Sequence, residues 1–236
     1  MGAPVVAFTV DLEPDCPPFL KGFRGVEHGL PALLDLLDRL EVPATFFTTG
    51  EVAQRYPSAV ERVVAAGHEL GCHGMTHTAF TTMDVETARA EIEDSARILR
   101  RFAPVTSFRA PYLLFPDAYV DLVEAAGFAV DSSQARYKFA YYRSPKSDRV
   151  RRYPASVTSS VLRLAPIVRR TYLRALDHRK PIVLFVHPWE FVDLTREKLR
   201  LDCRFKTGDV ALSCVGDVLK SYLGKGARFA RMRELE

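Results

Sequence analysis

The 236-residue sequence contains no asparagine and only two glutamines, Gln54 and Gln134. Depletion of these heat-labile amides points to a hot-living (thermophilic) or GC-rich source. No apolar run approaches the ~18 residues of a membrane span, so no transmembrane helix is expected. A basic leader region and a cleavage site are also missing. The apolar opening stretch therefore reads as a first strand, and the expected compartment is the cytoplasm. Charge of one sign is not in excess: 33 basic residues face 29 acidic ones, for a net +4. That balance excludes the electrostatic footprint of a nucleic-acid binder. No C-x-x-C pair occurs among Cys16, Cys72, Cys203 and Cys214, which read as free thiols. In a hot-living source, a Cys203–Cys214 disulfide is the candidate pairing.

What is present is enough apolar sequence, 47%, for one sizeable core across residues 1–236. Short apolar runs at 5–10, 44–49, 68–72, 106–109, 128–130, 182–186 and 227–232 read as strands. Between them, 30–40, 57–66, 84–102, 116–126 and 210–223 carry helical periodicity. Such alternation predicts an α/β fold, a parallel (β/α) barrel with outer helices. Asp11, His73, Arg109, Asp131 and His187 all follow strands, and in a parallel barrel those strand ends share one face. The stretch 134–180 breaks the rhythm and is rich in Tyr and Arg, including Tyr137, Tyr142, Arg143, Arg170 and Arg174. It reads as a basic insertion at the barrel mouth, either a salt-bridged surface or a substrate lid suited to phosphate oxygens.

Chemistry concentrates first in the segment G-H-E-L-G-C-H-G-M-T-H, residues 67–77. His73 and His77 stand four apart around Gly74, a spacing that lets two imidazoles converge on a divalent ion. Four further motifs surround it: T-V-D-L-E at 9–13, F-R-A-P-Y at 108–112, D-S-S at 131–133 and L-F-V-H at 184–187. The order and content of these five motifs resemble the polysaccharide deacetylases, carbohydrate esterases with a NodB-homology domain. The first motif departs from the common form: Leu12 spaces Asp11 from Glu13, and Glu stands for Asp. If the strand runs on through Glu13, both carboxylates still share a face.

The resemblance implies a distorted, seven-stranded (β/α) barrel and a metal-dependent hydrolysis of an amide C–N bond. It implies Asp11 as general base and Glu13, His73 and His77 as ligands of a divalent ion, Zn2+ first, with Co2+ or Ni2+ fitting the same donors. It further implies Arg109 clamping Asp11, the Tyr112 N–H facing the oxyanion, and His187 as general acid oriented by Asp131. Leu184, Trp189 and Pro111 would contact the substrate, Leu184 at the acetyl methyl and Trp189 as a stacking platform. His68 and Glu69 would be scaffold. For Asp131 a local Asx-turn is the other reading, and for Trp189 core packing. The implied substrate is an N-acetylated amino sugar, soluble or lipid-linked. The spaced first motif also resembles cyclic-amide hydrolases of the allantoinase type, and a non-catalytic carbohydrate-binding barrel is the reading from another class.

Overall fold

A computed structural model describes residues 3–139, 141, 150–178 and 181–235. The chain opens on β1 (Val5–Leu12), every residue of which after Val5 is buried. Its side chains alternate between two surroundings. Val6, Phe8, Val10 and Leu12 join the largest apolar cluster, with Leu30, Leu33 and Leu37 of helix α1 (Leu30–Arg39). Thr9 and Asp11 face the other way, into the barrel, where the Thr9 hydroxyl donates to the Leu184 carbonyl at 2.8 Å. A strand covered on both faces reads as a near-continuous apolar run. The two polar residues in this one therefore mark the interior that holds the site.

After α1 the chain forms β2 (Ala44–Thr48), helices α2 (Gly50–Arg55) and α3 (Pro57–Ala65), and β3 (Glu69–Cys72). Helix α4 (Val85–Leu99) follows, its first turn capped by the Asp84 carboxylate accepting from the Thr87 N–H at 2.8 Å. Next come β4 (Ser107–Phe108), α5 (Val120–Ala125), β5 (Val130–Asp131) and β6 (Arg151–Arg152). Helix α6 (Pro166–Leu176), β7 (Ile182–Val186), α7 (Leu201–Arg204), α8 (Asp209–Gly224) and β8 (Arg228–Phe229) complete the fold.

All pairings are parallel, in the order β6-β5-β4-β3-β2-β1-β7, and β8 pairs with the first two residues of β1. The seven-strand path curls into a distorted barrel with helices outside, as the alternating pattern predicts. Its two end strands, β6 and β7, are linked through Ser156, which accepts from the Val183 N–H through Oγ at 2.9 Å and donates its own N–H to the Val183 carbonyl at 2.8 Å.

The 134–180 stretch differs from the expected insertion. It supplies a barrel strand, β6, which the insertion reading did not anticipate; its residues 166–176 form the outer helix α6, where helical character is readable in the sequence. The β6 strand consists of two arginines alone, so no apolar run announced it. Several arginines of the stretch are spent on internal contacts. Arg151 donates to the Leu235 carbonyl, Arg163 to the carbonyls of Asp202 and Phe205, and Arg169 to the Leu162 carbonyl and Asp217. Arg170 and Arg174 lie on the exposed side of α6. Tyr142 and Arg143 fall outside the described residues.

A π-helical turn, Gly25–Gly29, runs beneath the end of β7. A Cβ on Gly25 would sit 2.5 Å from the Trp189 nitrogen, and one on Gly29 would sit 2.0 Å from the Pro188 oxygen. Both glycines are thus required for the close approach that seats the turn carrying His187.

Candidate metal centre and active site

Glu13, His73 and His77 each offer a ligand atom, and these atoms lie within 4.8 Å of one another in a buried cluster. Glu13 Oε2 is 2.6 Å from His77 Nε2 and 3.3 Å from His73 Nε2. His73 stands just past β3, and its Nδ1 is 2.7 Å from the Arg109 carbonyl. A carbonyl only accepts, so Nδ1 carries a proton and Nε2 is the ring nitrogen turned to the carboxylate. The donor set, one carboxylate and two imidazoles, suits a divalent transition ion. Buried His77 Nδ1 has no hydrogen-bond partner, so Nε2 is the ring nitrogen His77 commits to this cluster. Glu13 is 3% exposed. Burial alone would raise its pKa, but His77, His187 and His73 more than reverse that and hold it well below the usual carboxylate range. Its second oxygen accepts from Trp189 Nε1 at 3.0 Å.

Asp11 lies beside this cluster at the end of β1. Arg109, fully buried after β4, donates Nη1 to Asp11 Oδ1 at 2.6 Å and to the Thr9 hydroxyl at 2.8 Å. Its Nη2 reaches the Ser132 hydroxyl at 2.9 Å, and its guanidinium lies 4.2 Å from the Phe47 ring centroid. As expected, Arg109 holds Asp11, and it does so through a single prong. The fork is shared with neighbouring strands, which locks the arginine more firmly than one carboxylate would.

His187 ends β7 and meets Asp11 and Glu13 across the pocket, its Nε2 3.9 Å from an oxygen of each. Its Nδ1 is 2.7 Å from Glu190 Oε1, which also accepts the His187 N–H at 3.1 Å. Glu190 Oε2 in turn pairs with Arg163 Nε at 3.0 Å, both side chains almost fully buried. Burial lowers the His187 pKa, but Glu13, Glu190 and Asp11 outweigh it and raise the value to about 9. Glu190 is held below its ordinary range against its burial, first by Arg163 and then by His187.

This arrangement corrects the expected role of Asp131. Asp131 does not contact His187; its carboxylate accepts from Arg152 Nε at 3.0 Å and from the Ser133 N–H at 2.9 Å. The register pairs Asp131 directly with Arg152 of β6, so the local Asx-turn and a cross-strand ion pair occupy it. Glu190 orients His187 instead. The signal for it was in the sequence: an acid three residues after a strand-ending residue, the spacing of a capping box.

Three substrate-facing expectations also change. Leu184 packs outward with Phe8, its register partner, in the helix-facing core. Phe185, two residues before His187 and so on its face, lines the pocket. Trp189 is 6% exposed and stacks on His187 with centroids 4.7 Å apart. It is a wall behind the acid and a donor to Glu13, not an open platform. Pro111 is buried beside Gly74 and does not line the pocket.

The turn after Pro111 is held in the left-handed region at Tyr112 (φ 60°) and Leu113 (φ 51°). Side chains that are not glycine adopt this conformation only when surroundings impose it. Lys138 imposes it here, donating Nζ to the Tyr112 carbonyl at 2.6 Å and the Leu113 carbonyl at 3.3 Å. Burial lowers the Lys138 pKa. The Tyr112 ring packs edge-on against His77 with centroids 4.6 Å apart. Lys138→Met is expected to lower kcat about tenfold with KM little changed, because the turn relaxes while the pocket walls stay. Steady-state kinetics check this, and an unchanged kcat would remove the role.

Asp11, Glu13, His77, Tyr112, Phe185 and His187 share one open pocket of about 260 Å3, bounded further by Phe19, Tyr137 and Trp189. A carboxylate held by a buried arginine, two of the three candidate metal donors and a histidine of raised pKa thus face a common volume. The sequence model for the polysaccharide deacetylases matches residues 1–130, more than half of the chain. The chain belongs to this family. It is 37% identical over 131 residues to a chitooligosaccharide deacetylase of Sinorhizobium fredii, covering 54% of this chain and 56% of that one. With a peptidoglycan deacetylase of Helicobacter pylori it shares 30% identity over 125 residues, 52% of this chain and 42% of that one. The chain thus matches about half the length of these curated relatives. Across the whole fold it is similar to a Mycobacterium smegmatis structure assigned to the same family. The TM-score there is 0.74 at 20% identity, covering 99% of this chain and 92% of that one.

Proposed function

We propose that this protein is a metal-dependent N-deacetylase that hydrolyses the acetamide of an N-acetylated amino sugar. The observation carrying the reading is that Asp11, held by Arg109, stands beside the Glu13–His73–His77 donors, and that Asp11, Glu13, His77 and His187 line one pocket. The deacetylase relatives support the same bond type.

Glu13, His73 and His77 would hold the ion, zinc by first preference, with cobalt or nickel suited to the same donors. Such an ion, when bound, polarises an acyl oxygen and acidifies water. Asp11 accepts the proton of the attacking water, held in place by Arg109. The Tyr112 amide, on the turn that Lys138 fixes, is the donor assigned to the developing oxyanion. His187, whose cationic form Glu190 and Asp11 favour, delivers its proton to the departing nitrogen. The C–N bond breaks, leaving acetate and a free amine.

Among the described residues no helix is long and apolar enough to cross a membrane. Chelator treatment is expected to abolish acetate release from N-acetylchitooligosaccharides, and zinc to restore it. Faster turnover of allantoin or succinimide would move the assignment to a cyclic-amide hydrolase. Oligosaccharide binding without turnover under zinc, cobalt and nickel would leave a non-catalytic barrel.

A further inference from the structure

Cys16 and Cys203 come from opposite ends of the sequence and meet in the wall of this pocket. Cys16 lies in the loop after β1, at a left-handed φ of 41°. Cys203 lies on α7. Both pack in one apolar cluster with Trp189, Leu194 and Leu199, and both line this pocket. Cys16 is buried, whereas Cys203 is partly open. The expected Cys203–Cys214 pairing does not occur: both are free, and Cys214 lies on α8.

We propose that Cys16 and Cys203 form a hydroperoxide-reactive dithiol, with Cys203 attacking and Cys16 resolving, which closes a disulfide across the pocket wall. Division of labour follows from access, Cys16 being buried and Cys203 partly open. Cys203 is the thiol a small oxidant in the pocket can reach. The Cys16 thiol lowers the pKa of Cys203, with Arg200 and His187 adding to the effect against burial and Asp202. The Cys203 thiol and burial raise that of Cys16. In the first step the Cys203 thiolate attacks one peroxide oxygen. The O–O bond breaks, a sulfenic acid forms, and hydroxide leaves to take a proton. In the second, the Cys16 sulfur attacks the Cys203 sulfur. The S–S bond forms, the S–O bond breaks, and the Cys16 proton leaves with hydroxide as water. Two thiols are oxidised and one peroxide is reduced to two waters.

The bridge would join two parts of the site that are otherwise separate. Cys16 is three residues beyond Glu13. Around Cys203, the carbonyls of Asp202, Cys203 and Phe205 receive Arg163, which pairs with Glu190 behind His187. Oxidation would therefore tie the loop that follows the metal carboxylate to the support of the acid.

The test uses the reduced full chain, treated with hydrogen peroxide, alkylated and digested with trypsin. Cys16, Cys203 and Cys214 fall in separate tryptic peptides, 1–21, 201–204 and 207–220. The expected product joins 1–21 to 201–204 at a mass about 2 Da below their sum and is reversed by dithiothreitol. C214S keeps this product. C16S loses it, and its Cys203 proceeds to sulfinic acid or takes up glutathione. A Cys203–Cys214 peptide, or sulfinic acid on Cys203 of the wild-type chain with Cys16 still alkylatable, overturns the proposal. If C16S does not fold, the wild-type peptide map decides alone.

Discussion

Glu190→Gln is expected to lower kcat by about 10²-fold or more and to move the alkaline limb of the pH profile downward. The sign follows from the charges around His187. Burial depresses its pKa, while Glu13, Glu190 and Asp11 raise it to about 9. In the proposed role of general acid, His187 must be protonated, so activity falls as pH rises through its pKa. The amide introduced at position 190 keeps a hydrogen-bond acceptor on Nδ1 but removes the negative charge, so the imidazolium is less stable and the limb moves to lower pH. A cation bound to Glu13 offsets that carboxylate's pull, which leaves Glu190 as the larger remaining support. The substitution also strands the buried Arg163 guanidinium without its counter-charge, which costs about 3–5 kcal/mol of stability. Rate–pH profiles and thermal melts separate the two effects. Asp131→Asn serves as the contrast, because Asp131 pairs with Arg152 and leaves His187 untouched. An alkaline limb shifted by Asp131→Asn and not by Glu190→Gln would return the orienting role to Asp131.

Asp11→Asn is expected to reduce kcat by about 10²–10⁴-fold, with KM little changed and metal content retained. The amide that replaces the carboxylate still accepts a hydrogen bond from Arg109 but takes no proton from water. Glu13, His73 and His77 keep their geometry, so the ion stays bound. The guanidinium of Arg109 remains fixed by Thr9, Ser132 and Phe47. Arg109 loses its only carboxylate, so the stability loss is comparable to that of Glu190→Gln, whose partner Arg163 likewise keeps only neutral acceptors. Elemental analysis of the purified variant alongside kinetics checks both halves. Undiminished turnover with a full complement of metal would exclude Asp11 as the base.

Both predictions rest on residues of very different visibility in the sequence. Asp11, Glu13, His73, His77, Arg109 and His187 each follow an apolar run. Strand C-terminal ends gather on one face of a parallel barrel, so their meeting was legible from the order of the runs alone. The swap of Leu184 for Phe185 was legible too, since residues two apart share a strand face and His187 marks the face that matters. Glu190 was half visible, through its capping-box spacing from His187. Its link to Arg163 was not, because Arg163 reaches it from a part of the chain with no periodic signal.

Local patterning, with periods of two and 3.6 residues along the chain, set the alternation of strands and helices. It also placed the donor residues after strands and supplied the family motifs. Which residue partners which was settled by folding in three dimensions. Register gave Asp131 to Arg152 and left Glu190 to His187. Packing turned Trp189 against His187, and the fold brought Cys16 to Cys203 across nearly the whole chain. Partner choice among buried charges and thiols depends on distances of a few ångströms between segments remote in sequence. No local preference encodes those distances; they are fixed when the barrel closes and its core packs.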